Sequence, residues 1–357
     1  MRARGPKPVM ITGGAGFIGT NLADRLLSSG QSVLVYDNIS RPGVEQNLYW
    51  LLERHGEDRV RVEIADIRDQ HQLRRAAAAS RMIFHFAAQV ALTTSVADPV
   101  RDFQTNLHGT LNLLEILRSL EGPPPLIFTS TNKVYGGLKE IGLRSNGTRY
   151  EPQEGSILSG GVAEDRPLKF QGPYGCSKGA ADQYILDYSG IYGIKAVVFR
   201  MSCIYGPHQF GTEDQGWIAH FLARAIHDRP LTIYGDGMQV RDVLFIDDLL
   251  DAFLLAYSHM DRISGEAFNI GGGPKNSISL IELLELIRDI HGKTPHLLSG
   301  EWRPGDQKYY VTDFGKFRDA TGWRPKVGPR EGITALYRWL SECRPGPFFL
   351  SRNRAVQ

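Results

Sequence analysis

Apolar residues in this chain recur with two periods, and the two alternate along the first half. The short runs Val9-Met10-Ile11, Ser32–Tyr36, Met82–Ala88 and Pro125–Ser130, and the apolar–polar alternation of Arg59–Asp66, predict strands. Between them apolar positions return every three or four residues: Phe17, Ile18, Leu22, Leu26 and Leu27 after the first run, and Leu107, Leu111, Leu114, Leu117 and Leu120 in a helix predicted over Asn106–Leu120. Runs that are apolar throughout suit strands covered on both faces, so the alternation predicts an α/β fold with a doubly wound parallel sheet. From Gly136 to Pro173 the periodicity fails, and 137–172 reads as a long loop, a lid or substrate contact. Beyond it follow a helix over Tyr174–Tyr192, a strand over Ile194–Arg200, a strand over Ala267–Ile270 and a helix over Ile278–Ile290. The pattern predicts a main domain from 8–206 plus 236–273, a smaller discontinuous C-terminal domain from 207–235 plus 274–340, and a loosely held tail, 341–357.

The first strand-to-helix turn carries the clearest chemistry. Gly13, Gly14, Gly16 and Gly19 satisfy both G-x-G-x-x-G and G-x-x-G-x-x-G. Residues without a Cβ let the backbone turn sharply and let a pyrophosphate reach the N–H groups at the helix start, where the helix dipole favours an anion. The second strand ends in Asp37, eighteen residues after Gly19, where an acid can accept hydrogen bonds from an adenosine ribose. Asp37 also suits a turn before Asn38. Turn and acid together predict a Rossmann-type dinucleotide site. A carboxylate repels a 2′-phosphate, which favours NAD, while Arg41 leaves NADP open.

Composition narrows the remaining classes. With 357 residues, 42% hydrophobic and 22% charged, the chain can bury a sizeable core. Forty-one basic against thirty-nine acidic residues form no basic stripe, so no nucleic-acid partner is expected. Cys176, Cys203 and Cys343 are scattered, without C-x-x-C spacing, which predicts neither a disulfide framework nor a metal site and suits a reducing cytoplasm. The basic start MRARGPKP precedes too short an apolar run for a signal segment, and no run approaches the ~20 apolar residues of a membrane span.

Tyr174 and Lys178 stand four residues apart, on one face of their predicted helix. A phenol with an ordinary pKa of ~10 is a poor base at neutral pH, but an ammonium and a nicotinamide cation beside it favour the phenolate. Alone, Y-x-x-x-K is a frequent chance match. Here it follows the glycine turn, Asp37, Asp66-Ile67, His85-Phe86-Ala87-Ala88, Asn106, and Phe128-Thr129-Ser130-Thr131 leading to Val134-Tyr135-Gly136. In that order the set resembles the extended short-chain dehydrogenase/reductase family, the nucleotide-sugar epimerases and dehydratases, over about residues 8–340. The resemblance implies a catalytic trio: Tyr174 as base, Lys178 holding the cofactor ribose and lowering the tyrosine pKa, and Thr131 bonding the sugar hydroxyl. It implies NAD contacts from Gly13, Gly16, Phe17, Ile18, Gly19, Asp37, Asn38, Asp66, Ile67, Ala87, Ala88, Gln89, Asn106, Ser130, Tyr174 and Lys178, and a homo-oligomer, dimer or tetramer, built through Asn106–Leu120 and Tyr174–Tyr192.

Departures narrow the branch. Family dehydratases carry Asp-Glu directly after the threonine; this chain has Asn132 and Lys133, and a lysine accepts a proton only when strongly desolvated, so dehydration is disfavoured. The wording of Gln89–Ser95, Ser130–Gly136, Pro173–Gln183, Asp214–Trp217 and Gln239–Val243 is similar to the branch that epimerises CDP-sugars at C2. Cys203 stands where commoner members place an Asn near the substrate phosphates. The substrate set expected is Gln89, Thr93, Thr131, Asn132, Lys133, Ser202, Gln209, Gln215, Trp217, Arg241 and Arg303. Gln89 and Lys133 would line the sugar, Gln215 and Trp217 would meet the base, and Arg241 and Arg303 would clamp the diphosphate; a surface ion pair for either arginine and core packing for Trp217 stay open. Epimerisation at C4 of a UDP-sugar, at C2 of CDP-glucose, and a catalytically silent NAD-binding redox sensor are the competing expectations.

Overall fold

Seven strands of 4–6 residues form one parallel sheet: β1 (Val9–Thr12), β2 (Val33–Asp37), β3 (Val60–Ile64), β4 (Met82–His85), β5 (Leu126–Thr131), β6 (Ala196–Met201) and β7 (Glu266–Ile270). Their order is β3-β2-β1-β4-β5-β6-β7, and every neighbouring pair is parallel. This computed structural model describes residues 6–303 and 305–342. The tail expectation lies outside the described residues except for Ser341 and Glu342, which close the helix Pro329–Glu342, and Cys343 lies outside as well.

Alternate residues of each strand feed two cores. Val9, Ile11, Val33, Val35, Phe84, Ile127, Val197 and Phe199 pack on one face with Leu22 and Leu26 of helix α1 (Phe17–Ser28) and with Leu249 and Phe253 of the helix Ile246–Ser258. Met10, Leu34, Ile83, Leu126, Phe128 and Val198 pack on the other with Leu113, Leu114 and Leu117 of Gly109–Arg118 and Ala181 and Ile185 of helix α2 (Gly172–Tyr192). Strand order reverses between β1 and β4, where parallel α/β sheets open a crevice at the strands' carboxyl ends.

Three local readings change. The helix over Asn106–Leu120 is the α-helix Gly109–Arg118 preceded by a π-helical turn, Gln104–His108, that holds Asn106. The helix over Ile278–Ile290 begins only at Leu280, because Ser277–Ser279 pairs as a strand with Val240–Asp242. The long loop 137–172 contains a hairpin, Leu143–Ser145 with Tyr150–Pro152, and a helix, Gly155–Gly160. Its Leu138, Ile141, Ile157 and Val162 are buried against Val240 and Tyr309–Val311, so much of the segment is packed structure.

The strand Val240–Phe245 gathers Ser277–Ser279, Tyr309–Tyr310 and Cys203–Tyr205 into a second sheet, and Leu231–Tyr234 pairs in parallel with Leu297–Gly300. Among the described residues no helix is long and apolar enough to cross a membrane, and no group of three His, Cys, Asp or Glu is placed to hold a metal ion.

Candidate active site

The glycine turn sits at the strand reversal. Gly13 has φ +68°, and a Cβ there would lie 2.8 Å from the Ala87 nitrogen; one on Gly19 would lie 2.3 Å from the Gly13 oxygen. These two positions are closed to any side chain. Gly16 caps α1, and a Cβ on it would meet only the Gly13 oxygen, 3.1 Å away, so the turn is open on that side. The first N–H groups of α1, those of Phe17 and Ile18, have no intrahelical partner and are available to an anion.

Asp37 at the tip of β2 is tied to this turn. It accepts from Ala15 N at 3.1 Å and Ile39 N at 2.9 Å, and burial pushes its carboxyl up against those bonds. Asn38 donates to Asp66 at 2.8 Å; the Arg68 guanidinium, also 2.8 Å away, holds Asp66 down at about 2, and Ile67 beside it is buried. Across the crevice Ala87 N donates to Thr12, Ala88 follows on the same turn, and the Ser130 hydroxyl is buried with no partner. An open anion-binding turn, an acid at the ribose position and an orphaned hydroxyl fit an NAD molecule.

Pro173 in the first turn of α2 presets the helix, which brings Tyr174 and Lys178 against the end of β5. Tyr174 N–H donates to Ser95 at 3.3 Å, its phenol is hydrogen-bonded to Thr131, and Lys178 Nζ lies 4.0 Å over the Phe128 ring. Electrostatics here differ from the expectation of a lowered phenol. Burial pushes Tyr174 up to about 12, with Thr131 opposing it, and drags Lys178 down to about 7, with Asp182 and Asp102 opposing. Desolvation outweighs the Thr131 hydrogen bond at Tyr174 and the two carboxylates at Lys178.

Beyond Thr131 the substrate-side residues form a polar patch. Asn132 is within 3.4 Å of the Thr131 hydroxyl, and Thr131 accepts from Lys133 N. Lys133 Nζ is 3.5 Å from Gly305 O and 3.8 Å from Asp306, and burial together with Arg241 lowers it to about 8. The strong desolvation that a basic lysine requires is therefore met, although the ammonium still dominates at neutral pH. Arg241 donates to Asp306 at 2.8 Å, Trp217 Nε1 lies 3.4 Å from Cys203 Sγ, and Gln209 keeps a buried oxygen without a partner.

Several expected contacts are engaged elsewhere. Gln89 donates to Ala91 O and Asp102. Ser202 donates to buried Asp242, Gln215 accepts from Arg41, and Thr93 is exposed on the short helix Leu92–Ala97. Arg303 stacks 3.9 Å over Tyr234 and pairs with Glu213 and Asp214, so both candidate clamps hold carboxylates. Sequence reasoning missed Asp306, Asp102 and Ser177. Asp102 stands one helical turn before Asn106, a spacing that could have marked it.

Residues 9–271 match the model of the NAD dependent epimerase/dehydratase family. The chain belongs to that family. It is 42% identical to the CDP-paratose 2-epimerase of Salmonella typhi over 93% of this chain and 99% of the relative. It is 33% identical, with a TM-score of 0.78, to the solved UDP-glucose 4-epimerase of Thermus thermophilus in complex with NAD, covering 94% of this chain and 99% of that one. A UDP-glucose 4-epimerase of Thermotoga maritima, solved with UDP-glucose, is 30% identical with a TM-score of 0.79, covering 93% and 98%. The chain is thus an isomerase of the NAD-dependent epimerase type.

Proposed function

We propose that this protein inverts C2 of a CDP-sugar, converting CDP-paratose to its C2 epimer, CDP-tyvelose. The observation that carries the reading is the site's acid–base inventory. Thr131 is hydrogen-bonded to the Tyr174 phenol, Lys178 lies one turn further along α2, and Asn132 and Lys133 occupy the places where elimination would need carboxylates. The 42% identity to a CDP-paratose 2-epimerase supports the sugar and the carbon.

In this reading NAD, held by the glycine turn, Asp37 and Ser130, supplies a reversible hydride acceptor at the sugar and, when oxidised, a positive charge. A positive charge there would favour the Tyr174 phenolate against the burial that pushes the phenol up. Tyr174 Oη would take the proton of the C2 hydroxyl, with Thr131 hydrogen-bonded to the phenol. The Lys133 ammonium faces the developing 2-keto oxygen. Arg241 exchanges Asp306 for the diphosphate, which anchors the nucleotide while the sugar turns over. Tyr174 would return the proton to the C2 oxygen once the sugar has turned, leaving the base as it began. The glycine turn, Asp37, Thr131, Lys133, Tyr174 and Lys178 fall in 8–206, Arg241 in 236–273, and Gln215, Trp217 and Arg303 in 207–235 plus 274–340, so both proposed domains would contribute to the sugar site, in a chain acting as a homo-oligomer.

Incubation with CDP-paratose, CDP-glucose and UDP-glucose in deuterated water, followed by NMR and mass spectrometry, tests this. Inversion at C2 of a CDP-sugar without deuterium on carbon and without net NADH is expected. Inversion at C4, or solvent deuterium on carbon, would overturn the branch or the hydride-return mechanism.

A further inference from the structure

The loop after β2 is tied to a distant segment by one side chain. Arg41, just before the helix Val44–His55, donates through Nη2 to Gln215 Oε1, a bond between residues 174 positions apart. An arginine carries no acceptor, so the Gln215 amide must turn its oxygen to Arg41 and its NH2 away from it. Among the described residues Arg41 pairs with no carboxylate, and burial alone lowers its proton affinity. The half-buried guanidinium is thus committed to a neutral amide.

Gln215 closes a hairpin with Thr212: Thr212 N donates to Gln215 O at 2.8 Å, and Gln215 N to Thr212 O at 3.2 Å. The chain just before it is docked on the cofactor side. Asn21 of α1 donates to Pro207 O at 2.9 Å, and Asn47 donates to His208 O at 3.2 Å and to Ala15 O in the glycine turn at 3.1 Å. Within 212–215 itself, among the described residues, the one hydrogen bond from the first half of the chain is that of Arg41. The tip faces the other way. Arg303 Nη1 donates to Glu213 O at 3.1 Å and lies 3.4 Å from Asp214, and Tyr234 OH, under the stacked guanidinium, donates to Glu213 at 2.5 Å. Gly216, with φ +78°, then caps the helix Trp217–Ile226, so the hairpin also sets where Trp217 begins.

We propose that Arg41 is a positioning residue for the nucleotide-sugar: it fixes the hairpin 212–215 to the loop after β2, so that Gln215, Trp217 and Arg303 meet the nucleotide in one arrangement. This rests on the CDP-sugar reading above, in which those three residues take the base and the diphosphate. Arg41 shares its loop with Asp37, the acid at the ribose position, so the loop beside the cofactor is also the one that holds the hairpin. Among the described residues no hydrogen bond joins Arg41, the hairpin or Arg303 to Thr131, Tyr174 or Lys178, so loss of the Arg41 bond acts on binding and spares the chemical step.

The test is a double-mutant cycle of Arg41→Met and Gln215→Leu in the NAD-loaded enzyme, read by KM and kcat for CDP-paratose and by calorimetry with CDP. Loss of a hydrogen bond to a charged group should raise KM and the CDP dissociation constant about tenfold in Arg41→Met, with kcat within about twofold of wild type. In the Gln215→Leu background the same substitution should add less than about twofold, because the bond is already gone. An unmoved KM, effects that multiply, or a loss confined to kcat would overturn the proposal. So would a loss of NAD affinity of about tenfold, measured on the cofactor-free protein, since Arg41 would then serve the cofactor directly. If Arg41→Met does not fold, Arg41→Lys decides. Its ammonium still donates to the amide, so KM should stay within about threefold of wild type and rise about tenfold when Gln215→Leu is added; a lysine variant indifferent to Gln215→Leu would overturn the proposal. Failure of the underlying reading has a separate signature: a wild-type enzyme that inverts a UDP-sugar and leaves CDP-paratose untouched, on which the same cycle is run with UDP as the probe.

Discussion

Lys178 is held where an ammonium is costly. Its pKa of about 7, against an ordinary 10.5, means that the unfolded chain binds this proton more tightly than the folded one. The cost to stability is complete below pH 7 and fades as the pH rises towards 10.5, because stability increases with pH wherever the unfolded state holds more protons. At about 1.4 kcal/mol per unit, the cost at neutral pH is on the order of a few kcal/mol. Lys178→Met should therefore make the ligand-free protein more stable to urea at pH 7, and the gain should shrink by pH 10; equal stability of the two proteins at pH 7 would refute the burden. Tyr174→Phe keeps the ring and removes the proton site, so kcat should fall by ~10²–10⁴ with NAD affinity unchanged. Isothermal titration with NAD and the epimerase assay separate the two effects, and a variant with retained turnover would remove Tyr174 as base.

At the level of elements, α2 carries both reacting residues, and one buried ion pair anchors it to the sheet. Arg200 on β6 grips Asp182 with two bonds of 2.9 Å and donates to Tyr135 OH at 3.2 Å, which in turn donates to Asn269 on β7 at 2.7 Å. Arg200→Leu leaves the Asp182 charge buried and uncompensated, which should cost about 3–5 kcal/mol in urea unfolding; a loss under about 1 kcal/mol would mean that the helix is held by its apolar contacts alone. The strands and long helices of this frame were legible because their apolar residues repeat within one element, as at Val9–Ile11 or Leu107–Leu120. The hairpin and helix inside 137–172 were not, because elements of three and six residues carry no period, and Leu138, Ile141 and Ile157 find their partners near Val240 and Tyr309. The site divides the same way. Gly13 to Gly19, Asp37, Tyr174 and Lys178 announce themselves by local spacing. The Asp102–Ser177 bond joins residues 75 positions apart, and the occupation of Gln89 and Ser202 by Asp102 and Asp242 depends on packing that no local pattern encodes.

At the scale of the whole molecule, α2 and its neighbours present large apolar side chains to solvent. α2 and the helix Gly109–Arg118 are locked side by side: Tyr188 donates to Glu115 at 2.5 Å, and the Arg118 guanidinium lies 5.1 Å over the Tyr192 ring. On and beside this pair Val100 is 63%, Phe103 51%, Tyr184 43%, Ile191 65% and Tyr192 46% exposed. Five large apolar residues on neighbouring helices form the kind of patch that a soluble monomer seldom leaves open. An antiparallel meeting of the same face on a second copy would bury them symmetrically, which is how a two-fold homodimer forms. The proposed homo-oligomer is expected to put its seam on the outer face of the helix that carries Tyr174 and Lys178. Tyr184→Asp with Ile191→Asp puts two carboxylates into each half of the seam without touching a site residue. Light scattering should give the wild-type protein a multiple of the 39.8 kDa chain mass and the double variant a single chain. A wild-type mass of one chain would remove the oligomer, and an unchanged multiple in the variant would move the seam to another face.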